Sequence, residues 1–125
     1  MRTYKLYATA SATGTNLANI IFARSGRIRS LRWAVGVDAP ADNAALNLEV
    51  AFQPVSQMSV NDTAGSVAEV RWISNLTTSG GLPGCILHQE HLDCPIAAGE
   101  RLYLNAGVSG TVNAGVTVFV DVDEK

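Results

Sequence analysis

The densest run of ligand-type side chains is Cys85-Ile86-Leu87-His88-Gln89-Glu90-His91-Leu92-Asp93-Cys94, in which two thiols and two imidazoles recur at every third residue. Two thiolates and two imidazoles make a zinc set when all four converge on a tetrahedron. On a strand, residues three apart point to opposite faces; on a helix, the same spacing fans across about half the circumference. The run holds no Gly, Pro or Asn that would turn it back on itself. Neither metal nor any other cofactor is therefore expected. A Cys85–Cys94 disulfide meets the same obstacle, because the strand between them spans about 30 Å while a disulfide needs Cα atoms within about 7 Å. Two small free thiols are the expectation.

Other reactive constellations are equally incomplete. There is no Gly-x-Ser-x-Gly elbow, and both histidines sit on one segment, so a triad would need partners from elsewhere. Gly80-Gly81-Leu82-Pro83-Gly84 lacks the lysine and following helix of a phosphate loop. Asp121 and Asp123 share one face of a strand, opposite a row of valines, where solvent rather than a cleft is expected. No enzymatic activity is expected. Arg24, Arg27, Arg29 and Arg32 are four of the nine basic residues. They gather around Ser25-Gly26-Arg27, which reads as a hairpin tip, and form a candidate protein-binding patch because guanidinium grips carboxylates bidentately. A solvated turn would account for them equally well. Trp33 and Trp72 are in phase with the apolar residues of their segments, which assigns them to the core rather than to a sugar-stacking platform.

The elements that must carry these residues are strands. Period-two alternation places Val116, Val118, Val120 and Val122 on one face, as it does Tyr4, Leu6 and Ala8, then Leu31, Trp33, Val35 and Val37, and then Leu46, Leu48, Val50 and Phe52. Thr13-Gly14-Thr15-Asn16 reads as a break before a strand from 19 to 24, and further strands are expected over 66–74, 85–92 and 101–108. Residues 54–64 and 77–84 read as loops. One competitor is a helix, since Ala41, Ala44, Ala45 and Leu48 also fit helical spacing after an Asp42 cap. Turns rather than long helical patterns follow each strand, so the sheets should be antiparallel. The expected fold is an all-β antiparallel sandwich, a jelly roll or related Greek key of about eight strands, in a single domain over residues 1–125.

Only 16% of the 125 residues are charged, and the net charge is −2. That balance excludes a bulk electrostatic affinity for nucleic acid or anionic lipid, and no segment approaches the roughly 20 apolar residues of a membrane span. With no signal-peptide pattern after Met1, the chain is expected to start in the cytoplasm. Surplus apolar surface should be covered by neighbouring subunits.

The run Cys94-Pro95-Ile96-Ala97-Ala98-Gly99-Glu100-Arg101-Leu102-Tyr103-Leu104, followed by a Gly/Asn break and a Val-rich last strand, resembles the closing hairpin of the jelly-roll head decoration (cement) proteins of tailed bacteriophages. Tumour-necrosis-factor-like and C1q-like domains and tail-fibre tips share the turn. The resemblance implies a non-enzymatic structural virion protein, assembled in the host cytoplasm, that binds itself as a homo-oligomer such as a trimer and attaches to a capsid shell. The alternative is a receptor- or carbohydrate-binding domain using the loops at 54–64 and 77–84. A third reading, a cupin-type enzyme, requires His88 or His91 to meet a carboxylate on a metal.

Overall fold

Alternating burial dictates the architecture. In the computed structural model, which describes residues 1–37, 45–53, 71–77, 85–110 and 112–125, the chain forms β1 (Arg2–Ala10), β2 (Gly14–Ile21), β3 (Gly26–Val37), β4 (Ala45–Gln53), β5 (Arg71–Thr77), β6 (Cys85–Ile96), β7 (Arg101–Ser109) and β8 (Ala114–Glu124). They build two four-stranded sheets, β1-β8-β3-β6 and β2-β7-β4-β5, with every pairing antiparallel. β1 pairs with β8, β2 with β7, β3 with β6 and β4 with β5. The chain is thus a long hairpin rolled up so that successive pairs alternate between sheets. This is the strand order of a jelly roll.

The valines of β8 are fully buried, together with Leu6, Leu31, Trp33, Val35, Leu46, Leu48, Val50, Leu102 and Leu104, in one core between the sheets. Each such side chain contributes about 1.5–3 kcal/mol on burial. β4 is a strand from Ala45 onward, so the helical alternative fails for its described part. The expectations for Asp42, Ala44, the loops at 54–64 and 78–84, and the side chains of Phe52 and Trp72 lie outside the described residues.

Three boundaries differ from expectation. β2 begins at Gly14 because the supposed break is a bulge: the register slips between Gly14 and Ala18, and Asn16 takes a left-handed φ of 53°, which Asn tolerates. The Asn16 N–H donates to Asn105 Oδ1 at 2.9 Å. β6 runs on to Ile96. Finally, Ser25-Gly26-Arg27 is no hairpin tip, because β2 and β3 lie in different sheets and the segment crosses between them. Local turn residues do not say whether the next strand pairs with the last or changes layer.

The crossing is pinned to the turn between β6 and β7. Buried Phe22 donates its N–H to the Glu100 carbonyl at 2.9 Å, and its own carbonyl accepts from Gly99 N at 2.8 Å. Gly99 has φ 91°, a conformation glycine adopts without a Cβ penalty. The buried Glu100 carboxylate accepts from the Ala97 N–H. The apolar-Ala-Gly-acid turn is therefore a structural clasp joining the two crossings of the roll.

Candidate functional site

The outer face of the β1-β8-β3-β6 sheet carries the sequence-predicted arginines. Pairing β3 with β8 leaves one extra residue between Ile28↔Val122 and Ser30↔Asp121, so Arg29 sits in a bulge. The bulge flips the strand's phase: Ile28 and Leu31 both face the core, while Arg27, Arg29 and Arg32 are all exposed. They do not form an unpaired patch. Asp93 of β6 accepts from Arg27 at 2.9 Å and from Arg29 at 3.1 Å, Arg29 also reaches Asp123 at 3.6 Å, and Arg32 pairs with Asp121 at 3.1 Å. Arg24 stands apart in the β2–β3 crossing, exposed.

Asp121 anchors a second set of contacts around Arg32. It accepts from Thr3 Oγ1 and Ser30 Oγ, each at 2.6 Å, and from Arg32 Nε at 3.2 Å. Hydrogen bonds from Ser30 and Thr3, with Arg32 adding its charge, hold its carboxyl below the ordinary aspartate range. At the end of the same sheet Arg2 lies over the Tyr4 ring at 4.5 Å, and Tyr4 donates to Glu124 at 3.2 Å. Burial, with the Glu124 charge, pushes the Tyr4 phenol up.

Cys85, His88, His91 and Cys94 are strung along the 12 residues of β6, and neither cysteine is in a disulfide. His88 Nε2 lies 3.0 Å from Glu90 Oε1, two residues along the same face. Among the described residues no three His, Cys, Asp or Glu side chains converge on a point that could hold a metal.

Beyond the row of Lys5 and Arg32, the other half of this outer face carries neutral side chains at its register positions. Reading across the sheet by register, one row runs Lys5, Phe119, Arg32, Gln89; the next Tyr7, Thr117, Ala34, Leu87; the last Thr9, Gly115, Gly36, Cys85. A shallow depression of about 370 Å³ opens on its β3–β6 side, lined by Arg32, Ala34, Leu87, Gln89 and Phe119 among others. The opposite sheet differs: Tyr103 and Ala51 are fully buried in a cluster of their own, apart from the main core. Reading the sequence alone missed Asp93 and Asp121 as partners of the arginines, missed Thr3 and Ser30 as donors to Asp121, and missed Tyr7 and Leu87 as exposed apolar groups. The outward phase of Tyr7 opposite Leu6 and Ala8 was the available signal.

No protein-family model matches the chain, and no curated protein does. Among solved structures, the chain is similar to chains of infectious bursal disease virus. For the T13 viral particle the TM-score is 0.43 at 17% identity, covering 97% of this chain and 31% of the other. For the Gt strain it is 0.43 at 14% identity, covering 97% and 33%. For the Gx strain it is 0.41 at 13%, covering 95% and 31%. The chain thus spans about a third of the length of those it resembles. The jelly-roll assignment rests on the strand order.

Proposed function

We propose that this chain is a non-enzymatic structural virion module of the decoration type, which associates with itself and attaches to a protein shell. The observation that carries the reading is a jelly roll, an architecture used by viral capsid proteins, with one outer sheet face left open. On that face the arginines of β3 are paired with carboxylates within the sheet, and large apolar side chains stand in solvent. A surface whose own charges are matched has little long-range attraction for a polyelectrolyte and suits short-range protein packing. In this reading Arg24, Arg27, Arg29 and Arg32 belong to the protein-contact surface. Arg24 offers the charge least engaged, and the other three offer the remaining donors of guanidinium groups already positioned by carboxylates.

The test is reconstitution. Purified chain is mixed with particles assembled from the shell protein of the same genome and run on a density gradient. Stoichiometric co-migration, and particles that survive higher temperature or lower salt with the chain than without it, are the expected results. Failure to co-migrate, combined with saturable binding of a defined glycan, would replace this reading with the receptor-binding one.

A further inference from the structure

We propose that the open outer face of the β1-β8-β3-β6 sheet is a two-fold contact between two copies of this chain, its axis running along the strands between β8 and β3. The inference rests on the self-association reading above and gives it a surface.

The rows of this face are complementary to their own reverse. A two-fold axis along the strands places β1 against β6 of the second copy, and β8 against β3. The row Lys5, Phe119, Arg32, Gln89 then sets Phe119 opposite Arg32 of the second copy. This repeats between copies the cation–π contact made within one, where Arg32 lies 5.0 Å from the Phe119 ring. In the next row Tyr7 and Leu87, 59% and 76% exposed, face each other across the contact. Lower down, Asp123 of β8 comes opposite Arg27 of β3 in the second copy, its register partner within one chain.

The floor of the face carries two glycines at its centre. Gly36 and Gly115 are paired with each other on the two central strands, astride the proposed axis. A Cβ added at Gly36 would meet nothing within 4 Å, and one at Gly115 only the Tyr7 hydroxyl at 3.9 Å. Nothing inside the chain requires glycine at Gly36, and glycine within a strand is destabilising by about 0.5–1 kcal/mol. Strand glycines mark places where another backbone comes close. Here the side open to approach is the outside.

The face is also large enough for a specific contact. Four strands about 4.8 Å apart and about nine residues long present a face of about 19 Å by 30 Å, so two copies would bury about 1,100 Å². That clears the roughly 1,000 Å² of a specific interface but not the 2,000 Å² of an obligate one. The dimer should be reversible.

The test uses the native thiol of Cys85. Within one chain Thr9 and Cys85 sit at opposite ends of the last row, three strand spacings or about 14 Å apart, beyond disulfide reach. The two-fold brings Thr9 of one copy opposite Cys85 of the other. Mild oxidation of Thr9→Cys should give a covalent dimer that is lost in Thr9→Cys plus Cys85→Ala. Leu87→Asp, at an exposed site and checked for folding by circular dichroism, should weaken association at least ten-fold in analytical ultracentrifugation. Wild-type association that survives Leu87→Asp, with no cross-link beyond wild type in Thr9→Cys, would overturn this face while leaving self-association through another surface standing. A cross-link that persists without Cys85 would overturn the two-fold. A strict monomer at millimolar concentration would overturn both the face and self-association.

Discussion

Asp121→Asn removes a charge and leaves the shape. The wild-type carboxylate accepts from Thr3 and Ser30 at 2.6 Å each and from Arg32 at 3.1 and 3.2 Å, and its side chain is 13% exposed. Single hydrogen bonds to a charged group contribute about 1.5–3 kcal/mol, and bonds sharing one acceptor are not additive. The amide keeps one acceptor oxygen, so the expected cost is about 2–3 kcal/mol. Asp123, two residues along on the same face, is 55% exposed and reaches Arg29 only at 3.6 Å. Asp123→Asn should therefore cost less than about 1 kcal/mol. Urea unfolding followed by the fluorescence of buried Trp33 measures both. Equal losses for the two substitutions would refute the claim that Asp121 organises this face. The pH dependence gives a second reading. A carboxyl whose pKa falls on folding adds stability above its unfolded value of about 3.9, and that stability is lost as pH drops through the lower folded value. Wild-type stability should fall with acid below about pH 4, and the Asp121→Asn curve should be flatter there.

Gly26→Ala should be among the most damaging small substitutions, since the new Cβ would meet backbone, with Glu124 Cα at 2.9 Å and Asp123 C at 3.1 Å; thermal unfolding should report a loss of about 2 kcal/mol or more. Leu48→Asp puts an unpaired charge at a position 1% exposed and should abolish folding as seen by circular dichroism, whereas Glu49→Gln beside it should be nearly silent. Glu100→Ala removes the acceptor for the Ala97 N–H in the β6–β7 clasp and should cost about 1–2 kcal/mol, with faster amide exchange at Phe22 and Gly99 as its local signature.

Much of the core was legible because alternation and burial obey the same two-residue period. Val116 to Val122, Leu6 and Ala8, Leu31 to Val37, and Leu46 to Val50 all face inward as their spacing requires. Bulges defeated the rest. Ile28 and Leu31 differ in phase and both point inward, which happens only because Arg29 is extra. Asn16 carries a turn signature but bends a strand that continues. The arginines stood out by number, yet their partners Asp93 and Asp121 lie 64 to 89 residues away in sequence, and only the rolled topology brings them together. The acid of the Ala-Gly-acid turn was visible; its use as a clasp on Phe22 was not, because that contact joins two crossings of the roll.

The most direct test of the structural reading is an electron cryomicroscopy map of particles carrying this chain. Symmetry-ordered density for an eight-stranded sandwich seated on the shell, with its β1-β8-β3-β6 face against a second copy, is the expected result. A map in which the shell is bare and the chain occupies only a fibre tip, or is missing from the particle altogether, would contradict it.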